Sequence, residues 1–268
     1  MRSFCLGNAV FNSYDPLRAW IQSNQSQKPV VATSDAKEYS LYQKMLAEAV
    51  GTGIIVAGGC GAVCAHKFAG GTPFGIAVGF GASVMLGVYL TANISGAHLN
   101  PAVTVALYAN GNAPEDIVGP YVLAQCAGAT VASFVNYVSF SSGIAALESA
   151  QGIVRGSAGS AAIFDGAFGM VPNAALCGGV GALVGEAAMT AALVFAICGI
   201  TDPDSAVPDG AAPVLIGTTV ATLIGVGGPV TGCGMNPARD LGPRLVTLVT
   251  GWGTQAFSPG VSDDCRRF

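Results

Sequence analysis

Residues 95–107 read SGAHLNPAVTVAL, an Asn-Pro helix start set inside residues 68–114, a stretch with no Asp, Glu, Lys or Arg. Asn caps free N–H groups, and Pro fits the first helical turn, where its missing donor costs nothing. The helix expected after Pro101, VTVALYA, is too short to cross a bilayer, which takes about 20 residues. A near-copy follows at residues 231–243, TGCGMNPARDLGP, with a second short helix, RDLGPRLVTLV, expected after Pro237. Irregular backbone at membrane depth is tolerated only where it is buried in protein or lines a water-filled cavity. The two motifs therefore predict a pair of re-entrant half-helices.

The rest of the chain supplies the membrane. Of its 268 residues 51% are apolar and only 10% charged, against about 25% charged in a soluble domain. The 38 glycines follow no Gly-X-Y period and sit in apolar runs, which excludes collagen-like and disordered chains. A net charge of −4 without a basic patch gives no footprint for nucleic acid. Most of the eight cysteines, namely Cys60, Cys64, Cys126, Cys198 and Cys233, lie in apolar runs, where they act as small hydrophobes. Cys60, Cys64 and His66 have only weak metal-ligand spacing, and neither a metal nor a cofactor is expected.

Five spans are expected, at about residues 45–65, 74–94, 118–140, 175–200 and 212–230. Residues 1–44 form a polar tail, and no signal peptide is evident. Residues 141–175 form a Gly/Ser/Ala-rich connecting loop, expected to be extracellular, and residues 258–268 a short polar tail. Arg2, Arg18, Lys28, Lys37 and Lys44 precede the first span, which favours a cytoplasmic N-terminus.

The spans repeat. The first opens AEAVGTG and the fourth GEAAMTA, each with a Glu four residues before a Thr: Glu48 with Thr52, Glu186 with Thr190. Asn100 lies 52 residues after Glu48, and Asn236 lies 50 after Glu186. Residues 45–140 thus form one repeat and residues 176–257 a second, incomplete one. Three spans separate their starting points, an odd number, so the second repeat is inverted relative to the first. Half-helices entering from opposite faces bring their positive dipole ends together near the midplane. Two such ends and two Asn amides suit the oxygen of a neutral solute and repel cations and protons.

Other residues follow from that geometry. Glu48 and Glu186 are expected to brace the re-entrant backbone, the rival reading being a proton relay. Arg239, an ionisable residue in a membrane half-helix, is a functional candidate, with a snorkelling surface role as the alternative. His98 is expected to pack beside its half-helix. Lys67 and Asp240 are expected to pair at the outer mouth.

At AEAVGTG, SGAHLNPAVT and GPVTGCGMNPARDLGPRL the chain resembles the aquaporin family, and within it the glycerol-conducting aquaglyceroporins. The resemblance covers about residues 45–255. It implies an all-α membrane fold, six spans and two half-helices around a pore in a homotetramer, in the plasma membrane or an organelle membrane. It implies that Asn100 and Asn236, followed by Pro101-Ala102 and Pro237-Ala238, are the central pore residues. It places Phe80, Ile224, Cys233 and Arg239 in an outer selectivity filter, with Ile224 replacing the histidine of water-selective members. Cys233, as a pore-lining thiol, would make the channel sensitive to mercurials. Asp240 and Arg244 resemble markers of the glycerol branch. The implied activity is passive passage of glycerol, similar polyols and water, and no enzymatic chemistry.

Two departures stand out. FGMVPN at residues 168–173 only partly matches the outer-loop pattern Phe-x-Thr-Tyr-Pro. After GWGTQAF the family continues into a sixth span, whereas here SPGVSDDCRRF follows, which cannot cross a bilayer. A five-span chain is expected to fold poorly or leak, and the alternative function is a non-conducting, truncated channel-like membrane subunit.

Overall fold

The computed structural model describes residues 38–257. The basic residues expected to orient the N-terminus, except Lys44, lie outside them, as does the tail at 258–268. Among the described residues the fold is helical, and five helices are long and apolar enough to cross a membrane.

The first, α1 (Leu41–Ala69), begins four residues before the apolar run. Ser40 and Gln43 form a capping box there, each side chain bonding the other's backbone N–H, so polar residues start the helix. A wider π turn interrupts it at Val56–Cys60, and Gly70, left-handed at φ 76°, ends it. Helix α2 (Pro73–Ser95) starts on Pro73 under a Thr72 cap and stops at left-handed Gly96. The half-helix α3 (Pro101–Ala109) follows, and then α4 (Val118–Ser139).

The connecting segment is less of a loop than its composition suggests. It holds α5 (Ser141–Gln151) and the single turn α6 (Ala161–Phe164). Ile144, Ile163, Phe164 and Phe168 are fully or almost fully buried, so burial of a few large side chains holds what Gly and Ser propensities disfavour. Arg155 clamps this segment to residues 250–252: it pairs with Glu148 at 2.7 Å, donates to the Thr250 carbonyl at 3.1 Å and lies over the Trp252 ring.

The second repeat comprises α7 (Gly179–Thr201), α8 (Ala212–Thr231) and the half-helix α9 (Pro237–Thr247). Its relation to the first is visible where α2 crosses α8. A Cβ on Gly81 would lie 2.8 Å from the Gly217 carbonyl oxygen, and one on Gly217 would lie 2.5 Å from that of Gly81. Gly81 and Gly217 occupy the same repeat position, as do Ser95 and Thr231, so this reciprocal contact marks a pseudo-twofold axis between the repeats. Glycine at both positions lets the backbones touch.

Candidate conduction site

On that axis, beyond the glycines, the two half-helices meet end to end. The Asn100 side chain caps α3 by accepting from Ala102 N–H at 2.8 Å. That of Asn236 caps α9, accepting from Ala238 and Arg239 N–H at 3.1 and 3.2 Å. Each amide then reaches across. Asn100 Nδ2 donates to the Met235 carbonyl at 2.8 Å, and Asn236 Nδ2 donates to the Leu99 carbonyl at 2.9 Å. An amide nitrogen carries two N–H bonds, so each Asn keeps one that these bonds do not use.

The approach loops need unusual backbone. Ala97, Leu99, Cys233 and Met235 all have φ between 46° and 54°, a left-handed conformation costing about 1–2 kcal/mol per L-residue. The two glutamates hold these loops. Glu48 Oε1 accepts from Ser95 Oγ at 2.6 Å and His98 N–H at 3.0 Å. Its Oε2 accepts from Leu99 N–H at 2.6 Å and Gln125 Nε2 at 2.8 Å. Glu186 repeats three of these bonds, accepting from Thr231 Oγ1, Gly234 N–H and Met235 N–H. Among the described residues no further carboxylate bonds to either glutamate. His98 packs edge-on against Tyr121, with Nδ1 3.2 Å from Thr104 Oγ1.

Arg239 lies on the first turn of α9, 2% exposed. Its Nη2 donates to the Gly166 carbonyl at 2.9 Å, and its guanidinium carbon stands 5.0 Å from the centre of the Phe80 ring. Nε and Nη1 are buried without a hydrogen-bond partner. Phe80 and Arg239 thus face each other. Ile224 and Cys233 are both buried, and the Cys233 thiol is turned to the Leu223 carbonyl and the Met189 sulfur at 3.3 and 3.4 Å. A freely presented pore thiol does not describe that geometry.

Lys67 and Asp240 do not pair. Lys67 Nζ donates to the Ala162 and Asp165 carbonyls at 3.0 and 2.8 Å, closing the exposed end of α6. Asp240 Oδ2 instead takes Arg244 Nε, one turn along the same helix, at 2.7 Å, and its Oδ1 takes Met170 N–H at 2.7 Å. Arg244 also donates to the carbonyls of Met170 and Ala256, so the pair ties the 166–170 loop to α9. Just before that loop, burial pushes the Asp165 carboxyl above the usual carboxylate range, with Lys67 opposing. The Gly166 carbonyl and Met170 carried no sequence signal beyond the partial outer-loop match. His66 Nδ1 lies 2.7 Å from the Gly71 carbonyl, and Cys60 and Cys64 are buried.

Membrane-crossing helices in two opposed repeats, with half-helices abutting on their axis, define a multi-pass integral membrane protein of the channel-forming type. The chain belongs to the Major intrinsic protein family, which residues 35–255 match. It is 42% identical over 232 residues to the glycerol uptake facilitator protein of Pseudomonas aeruginosa, covering 85% of this chain and 82% of that one. It is 43% identical over 224 residues to a propanediol uptake facilitator of Salmonella typhimurium, covering 82% and 84%. The crystal structure of the Plasmodium falciparum aquaglyceroporin superposes with a TM-score of 0.71 at 25% identity, covering 84% of this chain and 87% of that one.

Proposed function

We propose that this protein is a passive channel for glycerol and similar small polyols, with water, and that it refuses ions. The observation that carries the reading is the reciprocal bonding of Asn100 and Asn236 across the half-helix junction. It brings two positive helix ends to one point, each worth about half an elementary charge. A hydroxyl oxygen arriving there accepts the remaining N–H of each amide, while a cation meets a repulsive field.

Arg239 and Phe80 are the proposed selective pair. The unpartnered Nε and Nη1 of Arg239 suit the hydroxyls of a polyol, and the Phe80 ring suits its carbon edge. Ile224 and Cys233 complete an apolar wall behind them. Glu48 and Glu186 hold the loops and are not links in a proton relay. Names of the two bacterial relatives, glycerol and propanediol uptake facilitators, support a substrate with a short carbon chain. The proposed assembly is a homotetramer with a cytoplasmic N-terminus, for which native mass measurement should return four chains.

Light scattering by proteoliposomes in gradients of polyols of increasing length tests the reading. Glycerol and propanediol should enter at least tenfold faster than through empty liposomes, and Arg239→Val should flatten the preference for hydroxylated solutes over equally sized apolar amides. Unchanged selectivity in that variant would remove Arg239 from the filter.

A further inference from the structure

The π turn of α1 lies directly against Phe80. An α-helix closes its bonds from residue i to i+4 and a π turn from i to i+5, and such turns gather at functional sites. In α1 the wider turn at Val56–Cys60 holds two glycines, and both press on α2. A Cβ on Gly58 would overlap Ser83 Oγ, and a Cβ on Gly59 would overlap Cδ1 and Cε1 of the Phe80 ring. Glycine at 59 is what lets that ring lie on the α1 backbone. The ring is 3% exposed and carries the Arg239 guanidinium carbon 5.0 Å from its centre.

The turn is itself held in place. Asn136 of α4, a buried residue, donates from Nδ2 to the Val56 carbonyl at 3.0 Å. A Cβ on Gly61 would lie 3.3 Å from Asn136 Oδ1. One buried amide therefore spans the turn, from its first residue to the residue just past its last. Gly59 has no side chain to offer a solute, so its influence on selection passes through the ring it touches.

We infer that Gly59 is a positioning residue for the filter: the π turn, held by Asn136, sets where the Phe80 ring stands relative to Arg239 and so the largest polyol that passes. A methyl group at 59 drives the ring off α1. Close-packed surroundings leave a buried ring little room to turn aside, so the gap to Arg239 takes up the movement and the opening narrows. The inference rests on the proposed role of Phe80 and Arg239 in polyol selection, and its test separates the two.

The full chain in proteoliposomes tests it, read by light scattering as the ratio of erythritol entry to glycerol entry. Gly59→Ala should lower that ratio about tenfold, the lower end of what one carbon is worth in a close-fitting site. Phe80→Leu should raise the ratio. Adding Gly59→Ala to Phe80→Leu should change it no further, because the ring that the methyl strikes is gone. Gly79→Ala crowds the same two helices, its Cβ 2.6 Å from that of Ala62, and should not lower the ratio. Asn136→Leu frees the turn without adding a clash there, and should shift the ratio about twofold or more only while Phe80 is present. An unchanged ratio in Gly59→Ala or in Asn136→Leu overturns the inference, as does an equal drop in Gly79→Ala. A Gly59→Ala effect that persists in the Phe80→Leu background overturns it too. If Phe80→Leu alone leaves the ratio unchanged, Phe80 is no part of the filter, and the proposed selective pair falls together with the inference.

Discussion

Two glutamates and four left-handed residues carry the energetics at the scale of single side chains. Ala97, Leu99, Cys233 and Met235 hold positive φ at a total cost of about 4–8 kcal/mol, taking 1–2 kcal/mol each. Hydrogen bonds contribute about 0.5–1.5 kcal/mol apiece even between neutral groups, so the seven accepted by Glu48 and Glu186 are of the size needed to offset that strain. Glu186→Leu deletes the two oxygens that accept three bonds and strands the donors of the loop. It should destabilise the protein by about 3 kcal/mol or more, whereas Glu186→Gln, which keeps one acceptor oxygen, should do less; thermal unfolding in detergent separates the two. If both variants melt with the unaltered protein, the glutamates do not hold the loops. Cys233 yields a second expectation at this scale. Its thiol is covered and turned to Met189 and Leu223, so a mercurial should inhibit glycerol flux slowly, over minutes, and Cys233→Ser should remove that slow phase. Fast block would require the thiol to face the lumen.

Among elements, the decisive contact is the crossing of α2 and α8 at Gly81 and Gly217. A larger side chain would have to separate two backbones, and overpacking of a tight contact costs about 1–3 kcal/mol. Gly217→Leu should therefore lower the melting temperature by several degrees and halve or abolish glycerol flux, while Gly225→Leu, whose added Cβ would meet nothing, should leave both nearly unchanged. Equal tolerance at the two positions would mean that the repeats do not touch there. Spans were the legible part of the sequence: long uncharged runs anticipate α2, α4 and α8 to within a residue or so, because in lipid the backbone has no alternative to helix. The start of α1 was hidden, since the Ser40–Gln43 box lies among polar residues. Helices α5 and α6 were hidden too, being held by buried Ile and Phe rather than by propensity. The partner of Lys67 was illegible for another reason: carbonyl acceptors leave no mark in a sequence. The turn of the Cys233 thiol was equally unmarked.

For the molecule as a whole, the inverted duplication explains why a chain so poor in charge retains buried Glu48 and Arg239 and half-buried Glu186. Each repeat sends one half-helix to the axis, and the pair forms a junction that neither could make alone. The doubled Asn-Pro-Ala motif and the Glu spacing pointed to that duplication. The cross-junction bonds to the Leu99 and Met235 carbonyls depend on left-handed turns that residue identities do not announce. The central claim is that two opposed positive helix ends pass uncharged solutes and refuse charge. Glycerol and proton fluxes, recorded in parallel from the same proteoliposomes with an internal pH dye, test it most directly. The account predicts glycerol entry well above that of empty liposomes, with proton leak no greater than theirs and no dependence on an imposed sodium or proton gradient. A proton current that rises in proportion to glycerol entry would contradict it.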